Sequence, residues 1–467
     1  MKLTFENLGA IARGDMELAD LTIVCGQNNT GKTYVTYALY CLLKSWVSLT
    51  RIDMSEEVKE LSRKGVVQID IEAKIVNAWP EISESVIKNF LDAFPAMMAS
   101  RAELFVNTKL HWEVSIGDAW RKRAIKNELR SAQGSLLLTI TKPADSVTAE
   151  ITAASQQSQE LLQGYGINEF IEEALINIVL TDVMPDVFMA STERTGATIF
   201  RRDLNLAKNS VVDLLAQLHK DGASDINPGK VFATLYQRNY ARPVDDNVRF
   251  ANNLPGADSE SGELARAKPE LLDQFGKIVG GSYVTNKDGV TFFQPAGTKL
   301  KLGLGETSSA VRSLLIIWYW LKYQAKAGGM LMIDEPELNL HPDNQRRLAR
   351  FLAQLVNAGV RVFITTHSDT IVREFNTLII LSRNLPHYAQ VRQQHGYAEY
   401  EYLAPSRVLL YITGKALFEV DGAINRRNLT TLIKVKPEPR LGIDVKTFDQ
   451  TILDMSGMQD DLRYGGE

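Results

Sequence analysis

Cysteine is scarce in this chain, which has only Cys25 and Cys41 among 467 residues. Two cysteines are too few for a disulfide framework, and they do not have the spacing of a zinc site. Cys25 lies in the apolar run that precedes a glycine-rich turn, so we interpret it as a small core residue. The chemistry of this protein therefore has to be sought in other side chains.

A strong excess of one charge is also missing. The chain has 52 Lys and Arg residues and 56 Asp and Glu residues, for a formal net charge of −4. This balance argues against a protein that coats nucleic acid along its whole surface. Two local basic clusters, 121–123 and 201–202, are interpreted as solvated faces, with a nucleic-acid site as the alternative.

Long apolar runs are absent as well. The most apolar stretch, residues 313–321, is far shorter than the roughly 20 residues that a membrane-spanning helix needs. The first 20 residues carry acids and lack the apolar centre of a signal peptide. With 45% hydrophobic and 23% charged residues, the composition predicts a globular, cytoplasmic protein of two or three domains without a membrane partner.

What the sequence does contain is a phosphate-loop pattern, VCGQNNTGKTYVTYALY at 24–40. Gly26, Gly31, Lys32 and Thr33 fit G-x-x-x-x-G-K-[ST], between an apolar strand-like run and a helical pattern. Glycines let backbone N–H groups point into one concavity, and a helix that begins there adds positive potential. We expect Lys32 to reach the β- and γ-phosphates of ATP and the Thr33 hydroxyl to bind Mg²⁺.

An acidic pair follows a second apolar run in GGMLMIDEPELNLHP, 328–342. Residues 330–333 predict a buried strand, and Asp334 ends it at the carboxyl edge of a parallel sheet, where ligands bind in such folds. Asp334 is predicted to hold Mg²⁺, directly or through water, and Glu335 to polarise the attacking water. Alone, the segment is also compatible with a strand that ends in a solvated acidic turn.

Two further segments complete the predicted site. VFITTHSD, 362–369, is an apolar strand that ends near His367, which we place as a hydrogen-bonding partner of the γ-phosphate, although a histidine at a strand end is usually structural. In LGETSSAVRSLL, 304–315, Ser308 and Ser309 open an apolar helix. They are interpreted either as plain helix N-caps or as hydroxyls presented to a phosphate.

In this order, the segments resemble the ABC-type ATPase heads of the SMC, RecF and OLD-like group. DEPELNLHPDNQRRL at 334–348 is similar to the DEPE…LHP…Q run of the OLD-like branch, TTHSD to its switch segment, and TSSAVRSLL to its signature helix, with Ala310 in place of a glycine. FMASTERTG at 188–196 resembles an Arg-bearing turn, and Arg194 is a weaker candidate for phosphate or interface contact. The resemblance covers about 1–50 and 186–385.

The resemblance implies an α/β fold of the P-loop NTPase class, an ABC-type head with two lobes and a mixed central sheet, helical insertions and a small C-terminal α+β tail. It implies ATP and Mg²⁺ as cofactors and a homo-oligomer, a dimer of heads or a ring, in which the serines of one copy complete the nucleotide site of another. The predicted nucleotide-binding residues are Gly26, Asn28, Asn29, Thr30, Gly31, Lys32, Thr33, Tyr34, Ser308 and Ser309; the catalytic ones are Glu335, His367 and Lys32; the metal ligands are Thr33 and Asp334.

The predicted organisation follows these motifs. We expect an ATPase lobe with the phosphate loop at 1–50, followed by a helical and β insertion at 51–185. An inner strand with the Arg-bearing turn is predicted at 186–200, and a helical insertion at 201–280. The ATPase lobe with the signature helix, acidic pair and histidine is predicted at 281–385, and the tail at 386–467. Residues 2–26 are predicted as two strands, 52–103 as mostly helical, 104–116, 135–142 and 146–154 as strands, and 407–422 as a hairpin. The sequence shows no internal repeat and no sustained heptad array, so we do not expect a coiled-coil arm.

Several functions fit such a head. The first is an ATPase switch that controls a separate effector such as a Toprim-type nuclease, because EVDG at 419–422 is too weak a match for a Toprim acid cluster within this chain. Heads of this size resemble the ATPase subunits of antiphage systems, PARIS more than Septu, with a phage protein or nucleic acid as possible trigger. The alternatives are a RecF- or SMC-like DNA-repair ATPase, a degenerate scaffold and, as a poorer fit, a transporter subunit.

Overall fold

The computed structural model describes residues 1–131, 133–154, 167–200, 240–256, 258–383, 385–418, 427–438, 442–443 and 458. The strands are β1 (Lys2–Leu8), β2 (Ile11–Glu17), β3 (Leu21–Gly26), β4 (Val66–Asp70), β5 (Lys109–Glu113), β6 (Ile125–Arg130), β7 (Leu136–Lys142), β8 (Thr148–Ala153), β9 (Val187–Ala190), β10 (Gly281–Thr285), β11 (Thr291–Pro295), β12 (Leu302–Gly303), β13 (Met330–Asp334), β14 (Arg361–Thr366), β15 (Val408–Phe418) and β16 (Arg427–Val435).

The α-helices in the described ranges are α1 (Lys32–Leu49), α2 (Ser55–Lys64), α3 (Trp79–Met97), α4 (Ala119–Lys122), α5 (Ile167–Leu180), α6 (Arg194–Ile199), α7 (Arg242–Asn252), α8 (Glu263–Ala267), α9 (Glu270–Val279), α10 (Ser309–Tyr323), α11 (Pro342–Asn357), α12 (Asp369–Leu381) and α13 (Tyr388–His395). The predicted α/β class is therefore confirmed. None of the helices in the described ranges has the length and apolarity that crossing a membrane requires.

The chain forms two compact units. Unit 1 consists of Met1–Phe5, Cys41–Phe94 and Thr108–Asp186, and unit 2 of Glu6–Tyr40, Pro95–Asn107 and Val187–Glu467. The helical insertion predicted at 201–280 is described only in part, because 201–239 lie outside the described residues. The basic residues at 201–202 fall in that range too.

Unit 1 contains an antiparallel four-stranded sheet in the order β4-β8-β7-β6. The strands predicted at 135–142 and 146–154 are confirmed as β7 and β8, which pair with each other in an antiparallel register. Strands β4 and β6 were not predicted, since β4 has only five residues with alternating buried and exposed side chains within a helical region. The basic cluster at 121–123 behaves as a solvated face, because Arg121 pairs with Glu72 and Arg123 with Asp182.

Unit 2 contains the sheet that positions the candidate site. Seven of its strands are neighbours in the order β2-β16-β15-β3-β14-β13-β9. From β15 to β9 all neighbouring pairs are parallel. All five side chains of β13 are buried, as are the first five of β3. Such continuous apolar runs are what the centre of a parallel sheet requires, because helices cover both faces.

The amino-terminal and carboxyl-terminal segments differ from the prediction. Residues 2–26 form three strands rather than two. The hairpin is longer than the predicted range 407–422, since β15 alone occupies most of that range and pairs with β16 in an antiparallel register. Residues 419–422 lie outside the described residues. Because β15 pairs with β3, these strands belong to the sheet of unit 2 and not to a small separate tail.

Candidate functional site

The predicted site residues follow three neighbouring parallel strands. In the register, Val24 of β3 lies opposite Thr365 of β14, and Thr365 lies opposite Asp334 of β13. At about 4.8 Å between neighbouring strands, Asp334 and the end of β3 are on the order of 10 Å apart. The carboxyl edge of the sheet therefore brings the phosphate loop together with the acidic pair and His367. The loop is more than 300 residues from both in the sequence.

Backbone conformation shapes the phosphate loop. Gly31 has φ +94°, a left-handed value that favours glycine, and a Cβ there would lie 2.8 Å from Ile11 Cγ1. Asn28 and Asn29 are exposed in the loop, and Asn29 has φ 61°. Helix α1 then begins at Lys32, so its first N–H groups are available to an anion.

The loop is held from two sides by other segments of unit 2. Thr413 of β15 lies behind Gly26, where a Cβ would come 2.0 Å from the Thr413 hydroxyl oxygen. The hydroxyls of Thr413 and Thr30 are 2.5 Å apart, and Thr413 also donates to the Cys25 carbonyl at 3.3 Å. On the other side, the Tyr34 ring lies against Gly9. These contacts fix the loop without a ligand.

Lys32 lies over the loop that it follows. Its Nζ donates to the carbonyls of Gly26 and Gln27 at 2.8 and 2.7 Å. Burial lowers its pKa, while the charges of Glu335 and Asp334 act in the opposite direction. Because those charges are close enough to act on Lys32, the cation and the acids share one electrostatic environment.

Asp334 fits the predicted metal ligand. Its side chain is only 3% exposed, and burial raises its pKa to about 6. Oδ1 accepts a hydrogen bond from Thr365, whereas Oδ2 is buried without a hydrogen-bond partner among the described residues. An orphaned carboxylate oxygen at a phosphate loop suits Mg²⁺, which prefers oxygen ligands and shares them with phosphates. The Thr33 hydroxyl would be the second protein ligand.

Glu335 is held in an unusual backbone conformation. Its φ of 52° is left-handed, which is rare for a residue with a side chain. Its N–H donates to the Thr365 carbonyl at 3.1 Å and lies 3.2 Å from the Thr365 hydroxyl. The side chain keeps 27% exposure, so water can reach it. That combination suits a general base.

His367 lies between two glutamates. Its Nδ1 is 3.5 Å from Glu335 Oε1 and 3.4 Å from Glu337 Oε1. Glu337 is buried and accepts hydrogen bonds from the Thr366 hydroxyl and the His367 N–H, both at 2.9 Å. Glu337 thus fixes the loop that carries His367. We did not identify it from the sequence, although its place two residues after Glu335 in DEPE is a usable signal.

Ser308 and Ser309 lie at the start of α10. Ser308 is exposed and is the N-cap, accepting a hydrogen bond from the Val311 N–H at 3.3 Å. Ser309 is half-buried in the first turn. The capping interpretation of Ser308 is therefore confirmed. Contact of either serine with a phosphate stays a prediction, because among the described residues neither is hydrogen-bonded to the phosphate loop or to the acids.

Arg194 does not have the role that the sequence predicts. It was expected to contact phosphate or an interface, but its side chain has no exposure. The guanidinium donates to four backbone carbonyls, of Ser191, Ser313, Asp334 and Glu335. A positive charge that is fully enclosed cannot meet a ligand, so this prediction is wrong. Sequence alone does not distinguish a buried arginine from an exposed one in a polar turn.

Comparison with known proteins agrees with part of this picture. The family model described as "AAA ATPase domain" matches residues 203–372, which include α10, the acidic pair and His367 but not the phosphate loop. Among curated proteins, basic juvenile hormone-suppressible protein 1 of Trichoplusia ni is 27% identical over 105 residues. That match covers 22% of this chain and 13% of that protein's length, so the chain spans only a small part of this relative.

Solved structures of SMC heads are also similar to this chain. One is the SMC head bound to the C-terminal winged-helix domain of ScpA, with 10% identity, a TM-score of 0.35, and 94% of this chain and 97% of that chain covered. Another is the SMC head domain from Thermotoga maritima, with 9% identity, a TM-score of 0.29, and 93% and 98% covered. These likenesses are too weak to bear on function, so the family match is what associates the acid-bearing part of the chain with an ATPase domain.

Proposed function

We propose that this protein binds ATP with Mg²⁺ at the carboxyl edge of the sheet in unit 2 and hydrolyses it to ADP and phosphate. The observation that carries the proposal is that a glycine-built phosphate loop after β3 and the acids Asp334 and Glu335 at the end of β13 lie at the same edge of the sheet, with only the parallel strand β14 between them. The match of the AAA ATPase domain model supports it.

The residues have distinct roles in this proposal. The loop N–H groups and Lys32 hold the phosphates, which places the γ-phosphate near the end of β13. Mg²⁺, held by Thr33 and Asp334, would neutralise phosphate charge when bound. Glu335 orients the attacking water and accepts its proton. His367, fixed by Glu337, donates a hydrogen bond to a phosphate oxygen.

The test is a pair of substitutions in the purified protein. Lys32→Ala removes the phosphate cation and should abolish ATP binding. Glu335→Gln keeps the shape of the side chain but not its basicity, so ATP should still bind while turnover falls by about 100-fold or more. Turnover by Glu335→Gln at the rate of the unaltered protein would show that Glu335 is not the base.

We further propose that the working unit contains at least two copies, with Ser308 and Ser309 of one copy meeting the γ-phosphate held by the other. The supporting observation is that Ser308 is exposed at the start of a 15-residue helix, whose N-terminal dipole attracts an anion. The resemblance of TSSAVRSLL to a signature helix also supports a nucleotide site shared between two copies. ATP would then stabilise the assembly and hydrolysis would release it.

A mixing experiment tests the shared site. Ser308→Asp keeps a good N-cap but places a negative charge against phosphate, so it should be inactive alone, as should Lys32→Ala. A mixed pair regenerates one intact site of two, so mixing should restore about a quarter of normal turnover if dimers exchange at random. Ser308→Thr, which keeps the hydroxyl and the cap, is the active control. No recovery on mixing would mean that the sites are not shared.

As its biological role, we propose that the ATPase cycle controls a separate effector protein, such as a nuclease, in antiphage defence. The support is the similarity of DEPELNLHPDNQRRL to OLD-like heads and the lack of a Toprim-like acid cluster in the sequence. Affinity capture of tagged Glu335→Gln protein from its host, with ATP present, should retain the effector at a fixed ratio. Retention of ribosomal or chaperone proteins alone would contradict this role.

A further inference from the structure

We propose that Arg194 is a positioning residue that couples helix α10 to the backbone of Glu335, so that the position of the serine-headed helix determines whether the base is aligned. This inference rests on the proposed ATPase function and adds a means of regulating the same site. It is independent of any contact between Arg194 and nucleotide.

The first observation is how completely Arg194 is enclosed. It is 0% exposed, and burial lowers its pKa to about 10, so it remains a cation at neutral pH. Four hydrogen bonds leave the guanidinium, and all four end on backbone carbonyls rather than on carboxylates. A guanidinium presents its donors in a fixed planar fork, so it fixes the relative positions of the groups that it joins.

The second observation concerns the identity of the carbonyls that accept these hydrogen bonds. Nη1 donates to the Asp334 carbonyl and Nη2 to the Glu335 carbonyl, each at 2.7 Å. Glu335 is the residue held at φ 52°, a left-handed conformation that is unfavourable for a residue with a Cβ. Arg194 stabilises the carbonyl orientation that this conformation requires, and thereby the direction in which the Glu335 side chain leaves the backbone.

The third observation is the link to α10. Nε donates to the Ser313 carbonyl at 3.2 Å, and Ser313 lies only about one turn into the helix that Ser308 caps. A displacement of this helix changes the position of that carbonyl and so of the guanidinium. The neighbouring Glu193 also accepts a hydrogen bond from Tyr37 of α1 at 3.2 Å, which ties the same turn to the helix of the phosphate loop.

The coupling follows from these contacts. The Arg194 guanidinium joins helix α10 to the backbone of Asp334 and Glu335. Through the adjacent Glu193 it is also linked to α1, the helix that follows the phosphate loop. When α10 is in place, the fork fits all four carbonyls and Glu335 is aligned. When it is displaced, the fork loses an acceptor, and the left-handed Glu335 backbone loses part of its support. ATP binding does not require this alignment, whereas hydrolysis does.

The principal test is Arg194→Lys, which keeps the charge but replaces the planar fork by an ammonium that cannot reach four carbonyls. We expect kcat to fall about tenfold or more while the ATP dissociation constant changes by less than about threefold. The matched control is Arg407→Lys, since Arg407 also joins separate segments through Asp20, Val356 and Asn357 but contacts no site residue. It should leave kcat within about twofold.

A double-mutant cycle separates positioning from a general structural role. If Arg194 acts through Glu335, then Arg194→Lys should slow hydrolysis no further in the Glu335→Gln background. A full additional tenfold loss there would overturn the inference, as would an unchanged kcat in folded Arg194→Lys. Absence of hydrolysis by the unaltered protein would instead refute the proposed function, so the two failures are distinguishable.

A milder variant covers the case in which Arg194→Lys does not fold. The buried Thr198 hydroxyl donates to the Arg194 carbonyl at 2.8 Å, so Thr198→Val loosens the short helix that carries Arg194 without changing side-chain volume. It should lower kcat about two- to fivefold with ATP affinity unchanged, again without further effect in the Glu335→Gln background. An equal loss in both backgrounds would overturn the inference.

Discussion

At the scale of single residues, the site is defined by charges held where water cannot reach them. Asp334 is an acid in a buried position, Lys32 is a cation that bonds to its own loop, and Arg194 is enclosed among carbonyls. Keeping such groups ionised away from water costs free energy. At Asp334 and Lys32 a ligand can use the buried charge, whereas at Arg194 four backbone carbonyls compensate it. Asp334 is the clearest case.

We predict that Asp334→Asn stabilises the metal-free protein at neutral pH. Burial raises the pKa of Asp334 to about 6, above its usual value near 4. Its contribution to stability is therefore present below about pH 4 and lost as the pH rises through about 6. The neutral amide avoids this loss, on the order of 2 kcal/mol. Thermal melts in EDTA should show the variant a few degrees more stable at pH 7.5.

Two comparisons make this prediction specific. At pH 3 the two proteins should melt at similar temperatures, because the acid is then largely protonated in both the folded and the unfolded state. With Mg²⁺ and ATP at pH 7.5, the order should reverse, since only the unaltered protein can use Asp334 as a ligand. A variant that melts below the unaltered protein in EDTA at neutral pH would contradict the argument.

How far the residues could be predicted depends on what each one contacts. Lys32, Asp334 and Glu335 occupy positions in short motifs whose chemistry is local, so the sequence predicts them. Glu337, Thr365 and Thr413 contact partners in segments that follow other strands, and no local pattern shows which strands will be neighbours. Arg194 was misassigned for the same reason, because its four acceptors are up to 141 positions away.

At the scale of elements, the strands that were predicted best are those buried on both faces. The apolar strand predicted to end near His367 is β14, which ends at Thr366, and the strand predicted at 330–333 differs from β13 by one residue. A continuous apolar run marks such a strand whatever its neighbours are. Strand β15 is different: its sequence predicts a local hairpin, and only the sheet register shows that it also pairs with β3.

We predict that Thr413→Val weakens nucleotide binding, although Thr413 is about 390 positions after the phosphate loop. The substitution keeps the side-chain shape but removes the hydroxyl that contacts Thr30 and the Cys25 carbonyl. Losing about 1 kcal/mol of support for the loop would raise the ATP dissociation constant about threefold to tenfold. Titration with a fluorescent ATP analogue measures this.

The control for this prediction is Thr430→Val. Thr430 lies on β16 opposite Lys415, in the same hairpin but without a contact to the phosphate loop among the described residues. The affinity of the Thr430→Val variant for the fluorescent ATP analogue should match that of the unaltered protein. Equal affinities for all three proteins would show that β15 does not support the loop.

At the scale of the whole molecule, charge distinguishes the remaining functions. A DNA-repair ATPase needs a basic surface that neutralises phosphates, and its affinity falls steeply with salt. Here the formal net charge is −4, and Arg121 and Arg123 of the basic cluster at 121–123 are engaged in ion pairs in the described structure of unit 1. Direct binding of DNA therefore has little support, while control of a protein effector is compatible with this surface.

We predict that double-stranded DNA changes the ATPase rate by less than about twofold at 50 mM salt, because the acidic balance does not attract a polyanion. The assay compares turnover with and without DNA, and includes Lys32→Ala to exclude contaminating ATPases. Strong stimulation that disappears as the salt concentration rises would favour the DNA-repair alternative.

The place of β15 in the sheet has a consequence for biosynthesis. The phosphate loop ends at Thr33, whereas β15, the strand whose Thr413 supports the loop, begins only at Val408. During translation the loop is therefore synthesised hundreds of residues before its contact with Thr413 can form. A nascent chain that has not yet reached β15 lacks this contact, so we expect it to bind ATP more weakly than the folded protein.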